Sequence, residues 1–185
     1  ISDIHINAEP ILDLDPVENF RKCLAHVEEH QHDADRVIIT GDLTHYGLAE
    51  NYGMLKEMLA GSSLTGDRAP RLLIGNHDRR EAFADAFPDA ERDRCGFIQW
   101  SEETPAGIFI YMDTVEPGTH AGAYCDKRRG WLEGELEKAR SEGTPVFLFY
   151  RATAKTKGKA NKFEFLGRVE CRGSKGEKPI SIVWR

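Results

Sequence analysis

Short apolar runs that break off into Gly, Asp or Asn alternate along this chain with longer amphipathic stretches, and no other feature limits its fold as tightly. Apolar runs bounded by turn residues read as strands, whereas apolar positions three and four apart over a dozen residues or so read as helices. Their alternation predicts an α/β layered domain. Strands are predicted over 1–6, 36–40, 71–74, 107–112 and 145–150, with 97–100 as a sixth. Helices are predicted over 16–30, 48–59, 81–87 and 127–141. Pro16 opens the first, and its inner face carries Val17, Phe20, Leu24 and Val27. Pro88 stops the third, and Gly143 ends the fourth, whose inner side holds Trp131, Leu132, Leu136 and Ala139. Trp100 and Trp131, both at apolar spacing, read as core residues.

This regularity stops at Tyr150. Residues 1–150 hold 15 Lys+Arg against 28 Asp+Glu, a balance of −13, and residues 151–185 hold 10 against 3, a balance of +7; together they give the net −6 of the 185-residue chain. Two parts are therefore predicted: 1–150, and a basic linker followed by a hairpin over 151–185. In the second part Phe163, Phe165, Val169 and Cys171, then Ile180, Ile182 and Trp184, alternate around GSKGEKP.

The acidic total gives no electrostatic basis for nucleic-acid binding. No apolar run approaches the length of about 20 residues that a membrane-spanning helix needs. Cys23, Cys95, Cys125 and Cys171 form no C-x-x-C pair, so free thiols in a reducing, cytoplasmic setting are expected. The chain opens ISDIHI, with neither Met nor a signal-peptide pattern, which implies that some residues precede it.

Three polar clusters fall where predicted strands end: Asp3 and His5 in SDIH, Asp42 in TGDLTHYG, and Asn76, His77 and Asp78 in GNHD. Ligands of α/β sheets bind beyond the carboxyl ends of strands, so the clusters are expected to converge. Aspartate and asparagine oxygens mixed with imidazole nitrogen suit Mn, Fe, Zn or Co better than Ca or Mg alone. If 1–6 is a strand, Asp3 and His5 share a face and can grip one ion. Asp42 can bridge two.

In order and spacing, DIH, GD and GNHD resemble the motifs of the calcineurin-like metallophosphoesterases. GDLTHYGLAENY, GNHDRREAFADAFPD, GFIQW and MDTVEPGTHAGAYC, followed by WLEGELEKA, are most similar to the bacterial class III cyclic-nucleotide phosphodiesterases within that family. The resemblance implies the layered α/β/β/α sandwich and a binuclear metal centre. Asp3 and His5 would ligate the first cation, Asp42 would bridge both, and Asn76 would ligate the second. His77 would stabilise charge on the phosphate or assist the leaving oxygen, and Asp78 would orient His77 by a hydrogen bond. The implied reaction is attack of a metal-bridged hydroxide on a small phosphodiester such as cyclic AMP, with glycerophosphodiesters or phosphomonoesters as alternatives.

The resemblance fails beyond 150. The family's pattern continues with a lone His and then G-H-x-H, but this chain reads FLFYRATAKT, and its histidines are His5, His26, His30, His32, His45, His77 and His120. Three imidazole ligands are absent from the sequence, which predicts a single, weakly held cation and impaired catalysis, or a non-enzymatic phosphate- or partner-binding module. The C-terminal half of the fold reads as abbreviated, through truncation, frameshift or joining of unrelated sequence, with an exposed sheet edge that favours association of copies. His26, His30 and His32 read as solvated. His45 and His120 lie on loops bordering the site, where contact with substrate and ligation both stay open. Arg79 and Arg80 can reach a substrate phosphate, with Arg79 the one assigned to it, and surface salt bridges are the alternative.

Overall fold

The computed structural model describes residues 1–145 in full and, beyond them, the backbone of 146–150, 155–156, 159–160, 164–169, 171–175 and 181–184. Two compact units divide it: Ile1–Gln99 with Met112–Ala123, and Trp100–Tyr111 with Tyr124–Arg185.

In the first unit, helix α1 (Pro16–His30) starts on Asp15, whose side chain accepts the Glu18 N–H, and it buries Pro16, Phe20 and Leu24. Strand β1 (Ile38–Thr40) follows, then α2 (Ala49–Ala60), which buries Asn51, Tyr52 and Leu55. Strand β2 (Arg71–Leu73) pairs parallel with β1 in the register Ile38 to Arg71, and α3 (Arg80–Ala86) buries Phe83. Parallel strands need a crossover, and α2 supplies it. Ile39, Leu43, Ile74, Tyr52 and Leu55 form the core between them.

The segment 1–6 runs beside β1 but is not the regular strand predicted. It is joined to β1 and the loop beyond by Thr40 N to Ile1 O at 3.0 Å, Asp3 N to Gly41 O at 3.2 Å, His5 N to Asp42 O at 2.9 Å and Ile6 N to Leu43 O at 2.9 Å, ending in a parallel bridge between Ile6 and Thr44. Asp3 and His5 have φ of 57° and 46°, and a left-handed residue at every second position destroys the pleat that would set both side chains on one face.

In the second unit, β3 (Trp100–Thr104) and β4 (Gly107–Tyr111) form an antiparallel hairpin, and Trp100 stacks on its partner Tyr111 with ring centroids 4.3 Å apart. The sixth strand thus starts only at Trp100, the last residue of the apolar run 97–100, and continues beyond it. Backbone groups of 97–99 are satisfied elsewhere: Phe97 N by Asp93 Oδ1 and Ile98 N by Asp113 Oδ2, at 2.9 and 3.0 Å. Helix α4 (Asp126–Ser141) buries Leu132, Leu136 and Ala139 and ends before Gly143, as predicted. Trp100 and Trp131 are half-buried rather than core.

Strand β5 (Val146–Tyr150) is followed by the short antiparallel pair β6 (Lys155–Thr156) and β7 (Lys159–Ala160), and β5 pairs antiparallel with β8 (Glu164–Val169). The hairpin around GSKGEKP is β9 (Cys171–Lys175) with β10 (Ser181–Trp184). Residues 164–169, predicted to belong to that hairpin, pair with β5 instead. The remainder of the predicted basic linker, Phe163, and residues 176–180 lie outside the described residues.

Candidate metal and phosphate site

The N-terminal segment, β1 and β2 run in parallel, so Asp3 and His5 in the first lie beside the loops that follow the other two, and the predicted convergence occurs. Asp3, Gly41, Asp42, Asn76, Thr114 and His120 line one polar depression. Ligand atoms of Asp3, His5 and Asp42 lie within 4.8 Å of one another, with His5 Nε2 3.9 Å from Asp42 Oδ2. Two carboxylates and an imidazole at this spacing fit one divalent cation.

Two glycines make the approach possible. A Cβ on Gly41 would stand 2.8 Å from Gly75 N, and one on Gly75 would overlap the Asp42 carboxylate. Asp42 itself has φ 48°, so Asp3, His5 and Asp42 are all in the left-handed region. Such strain in non-glycine residues gathers at sites where the surroundings fix it.

His77 is held from two directions. Its backbone N–H donates to Asp42 Oδ1 at 3.0 Å, and its ring Nδ1 lies 2.8 Å from the His45 carbonyl oxygen. A carbonyl only accepts, so Nδ1 carries the proton and Nε2 offers a lone pair. The partner predicted for His77, Asp78, is engaged elsewhere. Buried Asp78 accepts five hydrogen bonds, from Leu43 N, Thr44 N, Thr44 Oγ1, Tyr52 Oη and Gly75 N, at 2.9 to 3.2 Å. It anchors the loop that carries Asp42, and the His45 backbone orients His77 in its place. Burial pushes the Asp78 carboxyl up, against the hydrogen bonds that favour its charged form. Burial, reinforced by the Asp78 charge, also raises the Tyr52 phenol above its ordinary range.

Asn76 Nδ2 lies 2.9 Å from Nδ1 of exposed His120, on a loop closed by the pairing of Val115 with Gly122. His45 Nδ1 is 3.4 Å from His5 Nδ1, and the two rings meet edge-on with centroids 5.4 Å apart. Desolvation, with the His5 and His77 rings adding to it, lowers the His45 imidazole below its usual range. His26, His30 and His32 are exposed, as predicted.

Arg79 is exposed, whereas Arg80 is bound to Asp113 through Nε to Oδ2 at 2.7 Å and Nη2 to Oδ1 at 2.8 Å, with Asp113 fully buried. Nothing in MDT marks this pair in the sequence. Tyr52 was equally hidden, because its hydroxyl lies on an otherwise apolar helix face. The nearness of His45 to His5 had one legible sign: the motifs that carry them, TGDLTHYG and SDIH, both fall where predicted strands end.

A profile described as Calcineurin-like phosphoesterase matches residues 1–151, and the chain belongs to that family of hydrolases. It is 33% identical to a probable cyclic nucleotide phosphodiesterase of Rhodopseudomonas palustris, over 100% of this chain and 73% of that protein. It is 27% identical to a probable glycerophosphodiester phosphodiesterase of Arcobacter nitrofigilis, over 81% of this chain and 55% of that protein. Identity is again 27% to the 3',5'-cyclic adenosine monophosphate phosphodiesterase of Escherichia coli K12, over 81% of this chain and 53% of that protein. The chain thus spans about half the length of these last two relatives.

Proposed function

We propose that this chain carries the cation-binding core of a phosphodiesterase acting on small phosphodiesters of the cyclic-nucleotide class. The observation behind the reading is the meeting of Asp3 and His5, from the N-terminal segment, with Asp42, from the loop after β1, within one candidate ligand group. A divalent transition metal such as Mn, Fe, Zn or Co would supply Lewis acidity and a water acidified toward neutral pH. Asp3, His5 and Asp42 would hold the first cation, with Asp42 and Asn76 bordering a second position.

The chain's own groups supply the rest. His77, with Nδ1 fixed to the His45 carbonyl, presents Nε2 as the atom that gives or takes a proton at the leaving oxygen. Asp78 acts through the loops it ties together rather than on the substrate. His120, which lines the depression, would contact a phosphate held there, with Arg79 and the side chain of His45 as further candidates. The relatives named for cyclic nucleotides support that substrate class, and those named for glycerophosphodiesters keep that substrate as the comparison. Free Cys23, Cys95 and Cys125 support a cytoplasmic setting.

A second reading, one weakly bound cation and no turnover, is favoured by the absence of any histidine after His120 in this sequence. Hydrolysis of a bis-aryl phosphate with added Mn²⁺ separates the two. Turnover that disappears in Asp42→Asn supports the phosphodiesterase; no turnover with at most one bound metal per chain supports the binding module; equal activity before and after the substitution overturns the assignment of the site.

A further inference from the structure

His5, His45 and His77 form a second group whose ligand atoms also lie within 4.8 Å of one another, with all three residues half-buried. The ring of His77 is centred 4.7 Å from that of His5 and 5.2 Å from that of His45. His5 faces two ways: Nδ1 is 3.4 Å from His45 Nδ1, and Nε2 is 3.9 Å from Asp42 Oδ2. Two nitrogens on one tetrahedral ion, each about 2.0 to 2.1 Å from it, stand roughly 3.4 Å apart. The His5 and His45 nitrogens already have that separation. The ligand atoms of all three lie within 4.8 Å of one another, so rotation of the His77 ring toward the other two would close the remaining distance to one ion.

We propose that His5, His45 and His77 constitute a three-imidazole site for one borderline divalent cation, Zn²⁺, Ni²⁺, Cu²⁺ or Co²⁺, which competes with the Asp3, His5 and Asp42 set for His5. Neutral nitrogen donors select these ions, whereas carboxylate-rich sets also take Mn²⁺ and Mg²⁺. A neutral imidazole offers one lone pair, so His5 serves one set at a time. The His45 carbonyl, by holding His77 Nδ1–H, directs the Nε2 lone pair of His77 outward for ligation. This donor set needs no residue beyond His77. Occupation would withdraw His77 from a substrate and His5 from Asp42, making Zn²⁺ an inhibitor; that consequence rests on the phosphodiesterase reading, and the site itself does not.

The test uses the full chain carrying His30→Gln, which breaks up the exposed His26 and His30 pair on α1, whose ring centroids are 4.5 Å apart. Zn²⁺ affinity is measured by competition with a chromophoric chelator, in the presence and absence of added His45→Gln or His32→Gln. Loss of hydrogen-bond partners around metal ligands already weakens binding about 10- to 100-fold, so loss of a ligand should weaken it by about tenfold or more. His45→Gln is expected to do so, with substitution of exposed His32 leaving Zn²⁺ affinity nearly unchanged. Unchanged Zn²⁺ affinity in His45→Gln overturns the site. If His45→Gln does not fold, the electron paramagnetic resonance spectrum of bound Cu²⁺ in the His45-containing chain decides: coupling to three nitrogens supports the site, and coupling to one overturns it. Neither readout depends on turnover, so failure here leaves the hydrolytic reading separately testable.

Discussion

Asp42 and Asp78 each hold the loop of the other: Asp42 Oδ1 accepts the His77 N–H at 3.0 Å, and Asp78 accepts the N–H groups of Leu43 and Thr44 at 3.0 and 3.1 Å. Every partner of Asp78 is a donor, and its two oxygens both have them. Asp78→Asn must therefore aim an amide N–H₂ at N–H or O–H groups whichever way it turns. A buried donor left facing donors costs about 3 kcal/mol. Urea unfolding should show that loss in midpoint with an unchanged slope, and metal affinity should fall as the Asp42 loop loosens. A midpoint equal to that of the parent chain would show that the network contributes nothing.

The same network predicts a smaller effect at Tyr52. Its hydroxyl donates to Asp78 Oδ1 at 2.9 Å and accepts the Arg79 N–H at 3.0 Å. Tyr52→Phe keeps the ring packing against Phe83, centroids 5.9 Å apart, and removes only the hydroxyl. A loss of about 1 to 2 kcal/mol is expected. In a cycle with Asp78→Asn the two losses should be non-additive, because the residues share a bond.

Arg80 and Asp113 make a forked, buried pair, and Asp113 also accepts the N–H groups of Ile98 and Val115 at 3.0 Å each. Arg80→Met leaves that carboxylate buried without its cation, which costs about 3 to 5 kcal/mol. Adding Asp113→Asn should recover part of this loss. Thermal unfolding of the two single variants and the double variant measures the recovery; purely additive losses would contradict the pairing.

What was legible in the sequence and what was not divide along physical lines. The ends of β1 and β2, all four helices and the meeting of Asp3, Asp42 and Asn76 could be read, because apolar periodicity fixes strand direction and direction fixes where a loop emerges. Side-chain hydrogen bonds carry no such period: the partners Leu43, Thr44 and Tyr52 lie 26 to 35 positions from Asp78, so the motif GNHD suggested a bond to adjacent His77 instead. Segment 1–6 looked like a strand because periodicity cannot reveal the positive φ of Asp3 and His5. The hairpin β3 to β4 was half missed because WSEET is too polar to stand out, although Ser101 bonds Glu135 of α4 at 2.6 Å.

At the start of α1, Asp15 Oδ1 accepts the Glu18 N–H at 2.9 Å, satisfying one of the helix's open donors. Asp15→Ala removes that cap and a negative charge from the positive end of the helix dipole. A loss of about 1 kcal/mol is expected, and Asp15→Asn should restore most of it. Denaturant midpoints of the three chains decide it.

Cys125 immediately precedes α4, and the Arg128 backbone N–H, followed in effect by its side chain, lowers the thiol below the usual cysteine range despite a small opposing cost of burial. The thiolate is the reactive form, so a lowered thiol is deprotonated more fully near neutral pH. Cys95 is likewise exposed and serves as an internal reference. Alkylation by iodoacetamide at neutral pH, followed by peptide mass spectrometry, should label Cys125 several-fold faster than Cys95. The advantage should shrink as pH rises. Because the main donor is the Arg128 backbone N–H, Arg128→Met should keep most of the difference in rate, whereas Arg128→Pro, which removes that N–H within the first turn of α4, should reduce it. Equal labelling of both thiols throughout the pH series would exclude a helix-end effect on Cys125.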